Sequence, residues 1–242
     1  MLIFKGMMKI AIFSDTHGKW DEMYDRAKGC DIILHCGDIE TLLSNEDLPY
    51  FPAPSKFKKQ YENGVRSYEF KKYWDKGKVP VLTYFIAGNH ENWKMLYKYI
   101  KGPVKLIENL YYFGNYGIVK IENIVIAGFS KIFHHNYSYL NSPIRWKPNN
   151  KNPQSPKIAS YFHVEDLMNL IELAKDYEKI DILLLHENPL GEFYGCKEIT
   201  ELIEALNPKY VFCGHMHWKG ERKLFNSIVI NIEENGVYYL DF

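Results

Sequence analysis

The chain has 242 residues, with 30 Lys+Arg against 30 Asp+Glu and 46% hydrophobic residues. This is the length of one large or two small domains, and the composition excludes a disordered chain, a collagen-like repeat and a coiled coil. The longest apolar runs, Ile124–Ala127 and Ile182–Leu185, are far shorter than the roughly 18 residues of a membrane span, so no membrane partner is expected.

The N-terminal stretch runs straight into a strand-like segment and lacks a small-residue cleavage site, which makes a cytoplasmic location the expectation. Cys30, Cys36, Cys196 and Cys213 form no C-x-x-C pair, so reduced thiols are expected rather than a zinc knuckle. Nothing in the sequence calls for an obligate protein partner.

Short apolar runs, each ending in a polar cluster, predict buried strands. They are Ile10–Phe13, ending in Ser14–Gly18; Ile32–Leu34, ending in His35–Asp38; Val81–Ala87, ending in Gly88–Glu91; Ile182–Leu185, ending in His186–Pro189; and Tyr210–Phe212, ending in Cys213–His217. Helical patterns fall between them at Trp20–Lys28, Ser67–Asp75, Trp93–Tyr99, Val164–Tyr177 and Cys196–Leu206, the last stopped by Asn207-Pro208. Gly117–Ile121 with Ile124–Gly128, and Ile228–Ile232 with Val237–Leu240, read as two hairpins. Alternating strands and helices with added hairpins predict a layered α/β fold with mixed sheets. Residues 131–160, rich in Asn, Ser, Pro and Lys, predict a long loop, and loops of that length are functional or disordered.

The strand ends carry Asp15, His17, Asp38, Asn89, His90, His186, His215 and His217. In α/β sheets ligands gather at the carboxyl ends of strands, so parallel neighbours would bring these groups to one crevice. Carboxylates and imidazoles suit borderline divalent ions such as Mn, Fe and Zn. The set exceeds one tetrahedral site and matches two sites sharing a carboxylate, as in two-metal hydrolysis. Each motif alone is weak: Asp-x-His is most often a capped turn and Gly-Asp a simple turn. The ordered set is the signal.

The motifs Asp-Thr-His-Gly, Cys-Gly-Asp, Gly-Asn-His-Glu, the lone His186 and Gly-His-Met-His resemble those of the calcineurin-like metallophosphoesterases, in the same order. The resemblance implies an α-β-β-α sandwich of four layers with two mixed sheets, as one domain over residues 1–242. It implies that Asp15, His17 and His217 hold one divalent metal and that Asn89, His186 and His215 hold a second. Asp38 would bridge the two, and His90 would be the acid beside the leaving oxygen. Within that family, Pro52–Lys56, Pro80–Glu91, Asn109–Gly114, Gly117–Lys120, Gly128–Phe133 and Tyr161–Val164 resemble the RNA lariat debranching enzymes, which implies hydrolysis of 2′,5′-phosphodiester bonds at RNA branch points. His17 stands where many eukaryotic members have cysteine.

From Ser130 to Val164 the sequence has no Asp or Glu but carries Lys131, Arg145, Lys147, Lys151 and Lys157 among Tyr137, Tyr139, Trp146, Tyr161 and Phe162. Basic and aromatic residues interleaved in this way suit single-stranded nucleic acid, with stacking worth roughly 1–3 kcal/mol per base. The competing reading is a solvated loop whose aromatics pack on the fold. Lys131, Arg145, Lys147, Tyr137 and Trp146 are the substrate-binding candidates, in an insertion at about 130–163 defined by its alignment with the substrate loop of the debranching enzymes. Two other functions compete with RNA hydrolysis: hydrolysis of nucleotides or other small phosphoesters, and a non-catalytic binding scaffold on the same fold. Retention of His90 and of every ligand position argues against the scaffold. His35 is expected to be a packed strand histidine, His134 and His135 to be surface residues, and His163 to cap the following helix. Glu91 is expected beside the metal ligands or at a helix start.

Overall fold

A computed structural model describes residues 7–141, 145–148, 155–191 and 194–242. Strands β1 (Lys9–Ser14), β2 (Ile32–His35) and β3 (Lys78–Phe85) run parallel, with Ile10 beside Ile32 and Ile32 beside Leu82. The long β4 (Lys101–Gly114) leads into the hairpin of β5 (Tyr116–Ile121) and β6 (Ile124–Phe129). Strands β7 (Ile182–Leu185) and β8 (Tyr210–Cys213) continue in parallel from β6. The chain closes with β9 (Gly220–Leu224), β10 (Ser227–Asn231) and β11 (Gly236–Asp241). The short strands β2 and β7 are buried along their whole length. Strands covered on both faces read as continuous apolar runs, which is why the sequence revealed them.

The hydrogen-bonded ladder is one mixed sheet of 11 strands, in the order β11-β1-β2-β3-β4-β5-β6-β7-β8-β10-β9. This differs from the two separate sheets expected. The join is β4, which pairs with β3 through its second half and with β5 through Lys101 and Gly102. The sheet curls, because one buried cluster takes Ile10, Ile12, Ile32 and Leu34 from one half and Ile126, Ile182, Leu184 and Phe212 from the other.

Helices cover the outer faces. The helices are α1 (Trp20–Arg26), α2 (Ser55–Glu62), α3 (Glu69–Lys76), α4 (Trp93–Leu96), α5 (His135–Ser138), α6 (Val164–Ala174) and α7 (Lys197–Leu206). Trp20, Met23, Phe70 and Trp93 pack on Phe13, Ile33 and Phe85. Leu167, Leu170, Ile199 and Leu202 pack on Ala127, Leu183 and Val211. Burying each such large side chain contributes about 1.5–3 kcal/mol. As expected, His163 caps α6, its ring accepting the Glu165 N–H, and the acidic first turn favours the same helix end. Asn207 ends α7 with φ of 46°.

The C-terminal pair is not a hairpin. β10 lies between β8 and β9, whereas β11 crosses to the opposite edge and pairs antiparallel with β1 over Lys9–Ser14. The intervening turn at Glu233–Gly236 therefore spans two ends of the sheet. The segment predicted as a long loop contains α5 and a 3-10 turn at Pro156–Ser160, and Ile132 bridges to Tyr161. Lys151, Pro143 and Pro153 of that segment lie outside the described residues.

Candidate metal centre and active-site cleft

The turns after β1, β2, β3, β7 and β8 meet at one end of the curled sheet. Backbone hydrogen bonds tie the first two together: Asp15 N–H to Gly37 O (3.1 Å), His17 N–H to Asp38 O (2.9 Å) and Gly18 N–H to Ile39 O (3.2 Å). Three turns share an unusual conformation, with φ positive at Asp15 (51°) and His17 (47°), at Asp38 (57°) and Glu40 (60°), and at His215 (69°) and His217 (56°). Residues with side chains pay about 1 kcal/mol or more each for this region, and such strain persists where surrounding structure enforces it.

The ring Nδ1 of His186 lies 2.7 Å from the Cys36 carbonyl, which only an N–H can satisfy. Its Nε2 is thereby the free nitrogen, 3.0 Å from Asn89 Oδ1 and 3.5 Å from Asp38 Oδ1. Asp38 Oδ1 also accepts the His90 N–H at 2.7 Å. On the other side, His217 Nε2 stands 3.2 Å from Asp15 Oδ1, and the His17 and His217 rings meet edge-on at 5.7 Å. The His215 N–H donates to Asp15 Oδ2 (3.1 Å), and the His215 ring lies 5.1 Å from that of His186.

Glycine makes the close approach possible. A Cβ on Gly88 would lie 2.6 Å from His186 Nε2 and would collide with Asp38 Oδ1.

Three ligand-capable groupings arise here: Asp15, His17 and His217; His17, Asp38 and His90; and Asp15, Asp38 and His186. Asp15, His17 and Asp38 each belong to two of them, so the three groupings merge into one cluster. The Asp15 and Asp38 carboxyls are buried, and burial alone would raise their pKa values. Facing imidazoles outweigh it: His217 and His186 hold Asp15 below the usual carboxylate range, and His186, His90 and His17 do the same for Asp38. Burial pushes the His215 and His90 pKa values down; at His17 burial is outweighed by the Glu40 hydrogen bond and the pKa rises to about 9, and the Asp15 hydrogen bond raises that of His217, so a metal bound there displaces a proton. Ionised carboxylates and neutral imidazoles are the forms that ligate. The donor set thus fits the divalent metals that the sequence implies.

The site opens into a cleft of about 570 Å³. Asn89, His90 and His215 line it together with Pro52, Pro54 and Lys58 from the segment around α2 and with Ile132, Pro156, Lys157 and Ser160. His90 Nδ1 is buried without a hydrogen-bond partner among the described residues, 3.7 Å from Asp38 Oδ2. Its ring is held edge-on by Phe51 and Phe57, each at 6.0 Å.

The substrate-binding candidates divide. Tyr137 stacks on Tyr161 at 5.2 Å, with His134 beside both, next to the Ile132 that lines the cleft. Lys147 is exposed. Arg145 is instead engaged in a forked pair with Asp166, at 2.6 and 2.8 Å. Trp146 is 5% exposed and packs between Tyr50 and Tyr97 rather than offering an open face. Lys131 sets its Nζ 5.3 Å over the Trp93 ring, and burial lowers its pKa to about 8. These three candidates anchor the segment to the fold.

His35 is a packed histidine: Gly37 N–H donates to its Nδ1 (3.2 Å), and Nε2–H donates to Thr16 Oγ1 (2.9 Å). Glu91 accepts the N–H groups of Ile39 (3.1 Å), Glu40 (3.1 Å) and Gly88 (3.3 Å), bracing the Asp38 turn. Burial raises the Cys213 thiol, which has no activating base.

Sequence reasoning missed Glu40, Asn188 and Lys58. Asn188 donates to the Gly214 carbonyl (2.8 Å) and accepts from Asn231, locking the β7, β8 and β10 turns together. Glu40 repeats the i, i+2 spacing of Asp15-x-His17 and His215-x-His217, and that repetition was the available signal.

A curled α/β sheet with a two-centre ligand set at its strand ends defines a phosphoester hydrolase class. The chain belongs to the calcineurin-like phosphoesterase family, whose model matches residues 8–219. Among curated proteins it is similar to the lariat debranching enzymes of Homo sapiens (30% identical) and Drosophila melanogaster (29%), over 88% of this chain. That of Arabidopsis thaliana is 28% identical over the same share. The chain spans 42% of the human protein, 43% of the fly protein and 55% of the plant protein.

Two solved structures show the same fold. One covers 98% of this chain and 99% of its own at TM-score 0.59 and 15% identity. The other, titled as a candidate 5′-nucleotidase from Staphylococcus aureus, covers 97% of this chain and 50% of its own at TM-score 0.53 and 13% identity. Among the described residues no helix is long and apolar enough to cross a membrane.

Proposed function

We propose that this protein is a dinuclear metal-dependent phosphodiesterase acting on RNA, with 2′,5′ linkages at branch points as its substrate. The observation that carries the reading is the convergence of Asp15, His17, Asp38, Asn89, His186, His215 and His217 at a cleft lined by Lys58 and Lys157. Asp15, His17 and His217 would hold one ion and Asn89, His186 and His215 the other, with Asp38 available to both. When bound, the two ions neutralise charge on the phosphoryl oxygens and acidify water, whose pKa a metal lowers from 15.7 towards ~7.

The chain's own residues do the rest. Lys58 and Lys157 draw the polyanion into the cleft. The stack of Tyr137, Tyr161 and His134 offers flat faces to bases beside Ile132. His90, held by Phe51 and Phe57 and lining the cleft, gives a proton to the leaving 2′ oxygen. A small phosphoester needs neither a pair of cleft lysines nor a stack, and this separates the RNA reading from the small-substrate one. In the same reading residues 1–242 act as one unit, with the two halves of the curled sheet as the inner layers of an α-β-β-α sandwich.

The test is cleavage of a short branched RNA carrying 2′,5′ and 3′,5′ linkages at one adenosine, with Mn²⁺. Selective loss of the 2′ branch, reduced roughly 10²–10⁴-fold in His90→Ala with metal retained, is the expected result. Hydrolysis of an aryl phosphodiester with the branch left intact would overturn the substrate while sparing the chemistry.

A further inference from the structure

Glu40 is an unusual residue to find where it lies. Its side chain is fully buried and its φ is 60°, a conformation glycine would occupy without strain. Three groups converge on its carboxylate. His17 Nδ1 is 2.9 Å from Oε1; Tyr61, on α2, donates its hydroxyl to Oε2 at 2.5 Å; and Arg66 places Nη1 3.3 Å from each oxygen. The backbone is pinned as well: Glu40 N–H donates to Glu91 (3.1 Å), and Trp20 Nε1–H donates to the Glu40 carbonyl (3.2 Å). The Arg66 guanidinium is itself held 4.5 Å over the Phe57 ring.

An acceptor at Nδ1 decides what His17 can do. The carboxylate fixes the proton on Nδ1, leaves Nε2 as the free nitrogen, and sets the ring plane. A carboxylate behind a ligating histidine also raises the basicity of the coordinating nitrogen. We propose that Glu40 is the positioning residue of the first metal site, directing His17 Nε2 to the ion and coupling that site through Tyr61 and Arg66 to α2, the helix that brings Lys58 to the cleft. The proposal rests on the reading of His17 as a ligand. The second site has its own device, since His186 Nδ1 uses the Cys36 carbonyl, so loss of Glu40 affects one ion and not the other. The competing role is a plain staple, in which Glu40 pairs with Arg66 only to fasten α2.

The experiment compares the full chain with Glu40→Ala, Glu40→Gln and His17→Ala. Each is stripped with chelator and titrated calorimetrically with Mn²⁺ alone, and melting temperature is measured separately. The expected result is two sites in the parent and one in His17→Ala. In Glu40→Ala two sites remain, one weakened roughly 10–100-fold and the other unchanged. Glu40→Gln keeps an acceptor of the same size, so it recovers most of the affinity and guards against a folding failure in the alanine variant. In zinc-loaded, ¹⁵N-histidine-labelled protein, a slowly exchanging Nδ1–H resonance that His17→Ala removes is present in the parent and absent in Glu40→Ala. Two parent-like Mn²⁺ sites in both Glu40 variants, with only a lower melting temperature, would establish the staple and overturn the proposal. Two intact sites in His17→Ala would overturn the ligand reading along with it.

Discussion

Asp166 offers a sharp way to decide what Arg145 does. Its carboxylate is 1% exposed and accepts two bonds from Arg145, at 2.6 and 2.8 Å, and one from Asn115 Nδ2, at 2.8 Å. Asp166→Ala strands a guanidinium and a buried amide together, and removes the nearest opposing charge that the buried Lys131 senses. Breaking a buried pair from one side costs about 3–5 kcal/mol; with the Arg145 side chain 31% exposed, the lower end applies, about 3 kcal/mol. At roughly 2–4 °C per kcal/mol for a chain of this size, the melting temperature falls by about 6–12 °C. Arg145→Ala costs less, about 1–2 kcal/mol, because it leaves an exposable carboxylate with Asn115 still bound. The double variant loses well under the sum of the two, since neither charge is then left alone. Denaturant unfolding at two salt concentrations measures all three. If Asp166→Ala loses under ~1 kcal/mol while Arg145→Ala reduces RNA affinity and its salt dependence, Arg145 is a phosphate contact and the anchoring argument fails.

Three further outcomes are expected. Lys58→Ala with Lys157→Ala weakens single-stranded RNA binding and lowers the slope of log affinity against log salt by about 1.4, leaving aryl phosphodiester hydrolysis unchanged; an unchanged slope would remove both lysines from the RNA path. Gly88→Ala abolishes binding of at least one Mn²⁺ with every ligand still present, because its methyl group collides with Asp38 and His186; calorimetry reads the stoichiometry, and full binding would show that the turn yields. Burial lowers the His35 pKa from 6.5 to about 3, with nearby carboxylates opposing. The unfolded chain therefore binds the extra proton between these values, so stability is full above pH 6.5 and declines as pH falls. The loss reaches about 2 kcal/mol by pH 5. Relative to the parent, His35→Gln loses that component of the slope between pH 6.5 and 4, and identical slopes would refute the assignment.

Much of the fold was legible because buried parallel strands announce themselves as apolar runs. Ile182–Leu185 was bounded to the residue, and the β5–β6 hairpin followed from the turn at Glu122-Asn123. Strand β4 escaped because its first half is only partly buried, so Lys101–Ile107 shows no clean apolar alternation. The partner of β11 was illegible for another reason. It is β1, at the far end of the chain, and a local turn says nothing of such a pairing.

The candidate ligands were readable as motifs, since all but His186 sit within three residues of a glycine. The groups that brace them were not. Glu91 is the exception, expected beside the ligands, whereas Glu40 is a single acidic residue whose burial depends on what other turns place above it. The basic aromatic segment shows the limit most clearly: Arg145 and Trp146 have the residue types of a nucleic-acid contact, but Asp166 and the rings of Tyr50 and Tyr97 claim them. Lys58, outside that segment, lines the cleft instead.

The most direct test of the central claim is anomalous diffraction from crystals soaked in Mn²⁺. The account predicts two ions about 3.5–4 Å apart, one among Asp15, His17 and His217, the other among Asn89, His186 and His215, with Asp38 touching both. A single ion, or two ions that leave Asp38 unshared, would contradict it.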